Sequence, residues 1–348
     1  MHAIDATILA TCTCLSDVLP FTVSSLPYSL YCFFYSKVDA TFQSDMTYTN
    51  LILWKDFFQF RYVSFQESLM ILMNNNSDEW VLLPPIGPYI SNTIQSFLEL
   101  SVHFDPRPQF HRIPSSIISP SLANSSIIFD RRDHWDYVYN VENLINTNLW
   151  RRQKRQRLQK FFKLFNPTCW FVSQLTPTFC NELLKFHLNN SIKSNSSSLS
   201  AESKSLCEFY QQPNLNLTDN ISGIAIFVPK NSQTNVTNSE ILCPIIQHVT
   251  DEFLEDNLIV GYSLIEILEK PFNNDKMSVI HIEKGKKDLK YSGIFQGLCY
   301  IEAKILSQYF ENVKYMNREQ DLGLESLRIS KTELNPSFMI EKVDIILK

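Results

Sequence analysis

Glycine is nearly absent from this chain: 7 of 348 residues, Gly87, Gly223, Gly261, Gly285, Gly293, Gly297 and Gly323. A phosphate-cradling loop of the G-x-G-x-x-G or G-x-x-x-x-G-K-[ST] kind needs glycines two to five positions apart where a strand meets a helix. The seven here provide no such set. Rossmann dinucleotide binding and Walker-type nucleotide hydrolysis are thereby excluded. Five of the seven fall between residues 261 and 323. In a chain so sparing of glycine, that concentration predicts tight turns or a close approach of backbone to a ligand in the C-terminal third.

At roughly 150 residues per domain, the length predicts two globular units with cores of their own. A formal charge of -5 and a pI near 5.8 argue against a surface that is basic overall. The eight cysteines form no C-x-x-C pair, which argues against structural zinc, so no metal is expected. Cys12 and Cys14 read as semi-buried thiols, and reduced cysteines fit a cytoplasmic location. The apolar stretch 8–34 is broken by Asp17, Pro20 and Pro27 and predicts neither a signal peptide nor a spanning helix.

Along the chain, residues 65–73 predict a strand, residues 80–83 its hairpin partner after the polar turn Asn74-Asn75-Asn76, and residues 91–104 a helix. Residues 137–141 predict a short strand leading into a helix over 142–165. The domain boundary is placed just ahead of that helix, giving domains 1–140 and 141–348. In the second domain, strands expected at 170–174, 224–228, 258–266, 278–283, 313–316 and 338–347 are interspersed with helices at 177–188, 293–310 and 322–331. Two Asn/Ser-rich stretches, 189–200 and 230–240, are too poor in apolar residues to join a core and read as surface insertions. The order predicts an α+β fold with mixed sheets flanked by helices.

Four constellations are able to carry chemistry. In Ser278-Val279-Ile280-His281-Ile282-Glu283, strand alternation puts His281 and Glu283 on one face, where a carboxylate beside an imidazole makes a general base; a half-exposed strand with a polar face gives the same pattern. Downstream, a basic turn at 286–290 leads to Gly293 and Gln296 at the start of an expected helix, where free N–H groups attract phosphate. The run 315–328 is dense in Asn317, Arg318, Glu319, Asp321, Glu325 and Arg328. If it is helical from Asp321 onward, Asp321, Glu325 and Arg328 stack on one face, either to clamp an amine or as a salt-bridged surface. Residues 150–163 hold seven cations and no acid, with Leu158, Phe161, Phe162 and Phe165 as an apolar stripe. Such a helix can hold phosphates of RNA, lipid or a coenzyme, or simply be solvated.

Taken in order, Leu51-Ile52-Leu53-Trp54-Lys55-Asp56, Leu83-Pro84-Pro85-Ile86-Gly87, Tyr137-Val138-Tyr139, Lys154-Arg155, His281-Ile282-Glu283-Lys284, Gly293-Ile294-Phe295-Gln296 and above all Tyr315-Met316-Asn317-Arg318-Glu319-Gln320-Asp321-Leu322-Gly323-Leu324-Glu325 resemble the phosphatidylglycerol lysyltransferase C-terminal domain family. That family is built from two tandem GNAT-type acyltransferase domains and is similar to Fem-type aminoacyltransferases. The resemblance implies two tandem GNAT-like domains, and an enzyme moving an acyl or aminoacyl group from a phosphate-bearing carrier, acyl-coenzyme A or aminoacyl-tRNA, to an amine or hydroxyl. It implies catalytic roles for His281 and Glu283 and acceptor binding by Asn317, Arg318, Glu319, Asp321 and Glu325. Carrier binding falls to Lys154, Arg155, Arg157, Gly293 and Gln296. No tightly bound cofactor is implied; the partners are a small-molecule or lipid acceptor, tRNA, and peripheral contact with a membrane. Cys299 stands where the family tends to carry Asn, so a binding or regulatory protein that keeps the fold without catalysis is the alternative.

Overall fold

The computed structural model describes residues 3–18, 21–38, 43–74, 79–165, 170–191, 197–211, 221–229, 249–272, 275–286 and 292–348. Along the chain run β1 (Ala3–Ile4), α1 (Ala6–Thr11), β2 (Phe21–Thr22), α2 (Tyr28–Tyr35), α3 (Tyr48–Leu53), β3 (Arg61–Phe65), β4 (Ser68–Asn74), β5 (Trp80–Leu82), α4 (Ile90–Leu100), β6 (Gln109–Pro114), α5 (Pro120–Ser125) and β7 (Ser126–Asp130). Then come β8 (Asp136–Asn140), α6 (Val141–Ile145), α7 (Arg152–Leu164), β9 (Trp170–Gln174), α8 (Pro177–Ser191), α9 (Ser197–Tyr210) and β10 (Ile221–Pro229). The last elements are α10 (Asp251–Asp256), β11 (Asn257–Phe272), β12 (Asp275–Gly285), α11 (Ile294–Tyr309), β13 (Val313–Asn317), α12 (Glu325–Thr332), β14 (Phe338–Ile340) and β15 (Lys342–Leu347).

Two compact units result. Unit 1 holds Met1–Asp136, Gln320–Leu324 and Met339–Lys348; unit 2 holds Tyr137–Glu319 and Glu325–Phe338. The sheet of unit 1 runs β1-β3-β4-β5-β6-β15-β7, with β2 beside β3. It is mixed: β1 with β3 and β5 with β6 are parallel, and the other pairs are antiparallel. The residues from Leu69 to Met73 are all buried, so β4 is covered on both faces rather than half-solvated. Against the sheet, α4 buries Ile90, Thr93, Ile94, Phe97 and Leu98, a stripe of helical period. Phe97 meets Phe65 and Phe110 edge-on, with ring centroids 5.4 and 5.9 Å away.

The sheet of unit 2 runs β14-β8-β13-β12-β11-β10-β9. Only β12 with β13 is parallel among its registered pairs, and α11 crosses between these two strands. The fold class is therefore α+β, two mixed sheets flanked by helices, as expected of tandem GNAT-like domains. Among the described residues no helix is long and apolar enough to cross a membrane.

Several expectations about elements need correction. Residues 65–73 are not one strand: Gln66 has φ +51 and, with Glu67, turns β3 tightly into β4. Residues 142–165 are not one helix; α6 ends at Ile145, where the Asn146 side chain accepts from the Asn148 N–H in a competing local turn. The helix expected over 322–331 begins only at Glu325, because Leu322 (φ +53) and Gly323 (φ +74) are left-handed. Asp321 lies outside that helix, so the ladder of Asp321, Glu325 and Arg328 does not form. Of the Asn/Ser-rich stretches, residues 189–191 close α8, residues 197–200 open α9, and 192–196 and 230–240 lie outside the described residues.

The glycine concentration also has a different cause from a ligand. Gly261 and Gly285 are cross-strand partners on β11 and β12, and a Cβ on either would meet Ile294 at 2.9 or 2.5 Å. Gly297 has the Phe161 ring where its Cβ would be, at 2.4 Å. These glycines let α11 sit down on the sheet and α7 sit down on α11.

Candidate functional site

Unit 2 gathers polar side chains where β11, β12, β13 and α11 pack together. Ser263 on β11 and Glu283 on β12 are cross-strand partners and share one face of the sheet. That face meets α11, for the Ser263 hydroxyl donates to the Glu302 carboxylate. Arg318, one residue beyond β13, donates from Nη2 to Glu283. Three atoms of the cluster remain buried without a hydrogen-bond partner: Glu283 Oε1, Glu302 Oε2 and Arg318 Nη1. A buried polar atom left unpaired costs about 1–3 kcal/mol, and this cluster carries that cost at two acceptors and one donor.

Burial pushes the Glu302 carboxyl up to about 7, and Glu283 nearby adds to the effect, against the pull of Arg318 and Ser263. A carboxyl that loses its proton near neutral pH is suited to taking one from a nucleophile. Cys299, one turn earlier on α11, is buried and pushed up to about 12 by that burial, so it remains a thiol.

His281 occupies the other face. The β11/β12 register runs Leu264 with Ile282 and then Ile265 with Ile280, so His281 is the extra residue of a bulge. The bulge breaks the alternation expected for 278–283. Glu283 shares its face with Ser263, whereas His281 bonds Glu266, whose position on β11 points oppositely. His281 and Glu283 therefore do not share a face. The imidazole is fully buried, with Nε2 3.0 Å from Glu266 and Nδ1 3.0 Å from Glu319. Burial disfavours its charged form, but the two carboxylates prevail and raise it to about 9. At neutral pH it is an imidazolium with both N–H groups donated and no lone pair to offer.

Arg318 is held by a chain of contacts behind it. Asn317 is buried and accepts the Glu319 N–H at 2.8 Å, Glu319 has φ +55, and its carboxylate rests on His281. The Lys331 ammonium donates to the carbonyls of Arg318 and Glu319 at 2.5 and 3.1 Å, and Tyr139 fixes α12 by donating to the Lys331 carbonyl at 2.8 Å. Of the residues singled out from sequence, Glu283 thus meets Arg318 directly, and His281 and Asn317 reach it through Glu319. Asp321 belongs to unit 1, where it accepts from the Gly323 N–H at 2.9 Å and pairs with Arg132 at 3.3 Å. Glu325 is exposed at the start of α12.

The basic helix α7 divides its residues. Lys154 turns inward to Ser330 at 2.9 Å and Glu333 at 3.5 Å, and burial lowers its pKa against the pull of Glu333. Arg155 is half-buried and Arg157 exposed. Gly293 caps α11 with φ +93, and a Cβ there would stand 2.2 Å from the Arg157 carbonyl oxygen. The space beside Gly293 is thus occupied by α7. Gln296 is buried in the first turn of α11.

Sequence reasoning missed Ser263, Glu266 and Glu302. The available signal for Glu302 was a lone acid in the apolar run Leu298-Cys299-Tyr300-Ile301-Glu302-Ala303. Unit 1 has its own buried ionic cluster, but a paired one. The Lys342 ammonium lies 2.5 Å from Asp45 and 2.7 Å from Asp136, Arg112 is 2.7 Å from Asp45, and the Gln320 amide donates to Ser44, Asp45 and Asp136. Although burial opposes it, Lys342 and Arg112 hold Asp45 well below the usual carboxylate range. With its charges mutually neutralised, this cluster ties β15 to the N-terminal segment.

Residues 38–189 match the family model described as phosphatidylglycerol lysyltransferase, C-terminal. No curated protein sequence matches the chain. Among solved structures, a conserved protein of unknown function from Bacteroides thetaiotaomicron VPI-5482 superposes with a TM-score of 0.63 at 17% identity, over 94% of this chain and 98% of that one. L-PGS from Bacillus licheniformis superposes with a TM-score of 0.56 at 13% identity, over 92% of each chain. In fold the chain is thus similar to L-PGS, and in sequence it resembles the phosphatidylglycerol lysyltransferase C-terminal family over residues 38–189.

Proposed function

We propose that the chain is an acyl- or aminoacyltransferase that moves its group from a phosphate-bearing carrier to an amine or hydroxyl, and that the reaction takes place at Glu283, Glu302 and Arg318. The observation that carries this reading is the trio of buried unpaired atoms, two carboxylate oxygens and one guanidinium nitrogen, set on a fold shared with L-PGS. The nucleophile attacks the carbonyl carbon of the carrier ester or thioester. Its proton passes to the Glu283–Glu302 pair, with Glu302 as the base. Arg318 Nη1 donates to the oxyanion as it forms. The bond from carbon to the carrier's oxygen or sulfur then breaks, and the proton returns to that departing atom.

His281 acts as a positioning residue, fixing Glu319 and through it the backbone of Arg318. Carrier phosphates are assigned to Arg155 and Arg157 of α7, since α7 itself fills the space at Gly293 and Gln296 is buried, and the acceptor to the surroundings of Asn317 and Glu319. Asp321 and Glu325 carry no step.

The test combines binding and turnover. Acetyl-coenzyme A, charged tRNA, uncharged tRNA and anionic vesicles are screened for a rise in the thermal midpoint; a ligand at 100 times its Kd adds about 2.7 kcal/mol. Whichever carrier binds is then used to follow transfer. Turnover is expected to rise as the pH passes through about 7, with Glu302→Gln losing at least 100-fold and flattening that limb. No stabilisation by any carrier, or full activity in Glu302→Gln, would overturn the assignment.

A further inference from the structure

The strand β7 closes one end of the sheet of unit 1; it pairs with β15 on one side and with nothing among the described residues on the other. Alternate residues of such a strand turn their N–H and C=O groups outward. Its three central side chains are apolar and exposed: Ile127 by 45%, Ile128 by 39% and Phe129 by 49%. Proteins ordinarily guard an edge with proline, lysine or an inward charge, and none interrupts Ser126-Ile127-Ile128-Phe129. Three consecutive exposed apolar residues on a free edge are a surface that a partner covers.

The pattern of the strand indicates which partner. Read about Ile128, the residue types of β7 are the same in both directions, polar, apolar, apolar, apolar, polar from Ser126 to Asp130, with Ser126 buried and the other four exposed. Laid antiparallel against an identical strand with Ile128 at the centre, it sets Ile128 on Ile128, Ile127 on Phe129, and Ser126 on Asp130. No carboxylate then faces a carboxylate or an apolar side chain. Moving the centre to Phe129 would set Asp130 on Ile128, and moving it to Ile127 would set Phe129 on Ser125. Only the first register matches like with like, and a partner of different sequence would not require the symmetry. We propose that two copies of the chain associate about a two-fold axis by pairing β7 with β7, centred on Ile128.

Sedimentation velocity between 1 and 100 μM tests this. The wild-type chain is expected to shift with concentration from 40.5 kDa to twice that mass, and Ile128→Lys to remain monomeric with an unchanged unfolding midpoint. A second measurement does not depend on the stability of that variant. Residues directly opposite lie about 4.5–5.5 Å apart at Cβ, so Ile128→Cys is expected to form a disulfide-linked dimer under mild oxidation and Asp130→Cys is not. A wild-type chain that stays monomeric at 100 μM, a dimer that survives Ile128→Lys, or equal crosslinking of both cysteine variants would each overturn the proposal.

Discussion

His281 shows how much one residue's surroundings decide. Its ring is buried, yet Glu266 and Glu319 hold it protonated with a value raised to about 9. A base whose folded value lies above its free value of about 6.5 contributes stability that is complete below pH 6.5 and is lost as the pH rises through 9. The wild-type chain is therefore expected to lose up to about 3 kcal/mol between those limits. His281→Gln, less stable at pH 6.5, should show a smaller decline across the same window when unfolding is followed by urea at each pH. A wild-type curve parallel to that of the variant would mean that the imidazolium clamp is not formed.

At the scale of elements, the packing of α7, α11 and the β11/β12 pair depends on missing side chains. Gly297→Ala would set a methyl 2.4 Å from the Phe161 ring and is expected to cost about 1–3 kcal/mol. Phe161→Leu should recover part of that loss in the double variant, an interaction energy visible in a thermal-unfolding cycle. Additive losses would place the strain elsewhere. Much of this level was legible in the sequence. The strand at 278–283 and the helix opened by Gly293 stand where the residue pattern put them. The bulge at His281 was not legible, because the period-two reading assumes an unbroken ladder and the extra residue is defined only by the register of β11. Glu302 was hidden for a similar reason: its partner Ser263 is 39 residues away, on a strand that reads as apolar. Asp321 was misplaced because helical spacing was extended through Leu322 and Gly323, whose positive φ angles stop a helix.

For the whole molecule, the buried charges around Lys342 matter more than any surface pair. Lys342→Met would leave Asp45 and Asp136 facing each other in the interior, and breaking a buried ion network in this way typically costs about 3–5 kcal/mol. Two-step unfolding in urea is expected, with unit 1 melting first; a single transition at the wild-type midpoint would contradict it. Two-unit organisation and α+β class were readable from length and element order. The return of the chain's end to the first unit was not, since nothing local to residues 342–347 says that their neighbours are β6 and β7.

That return has a consequence for how the protein is made. β15 lies between β6 and β7, so the sheet whose other strands all lie within residues 3–130 cannot close until residues 342–347 emerge. At about 5–20 residues per second, the wait after residue 136 lasts roughly 10–40 s. During it unit 2 can fold by itself, while the first-made unit presents two unpaired strand borders, β6 and the apolar β7. In the cell, the earliest part of this chain is the last to become native, and the period between is when it most needs a chaperone.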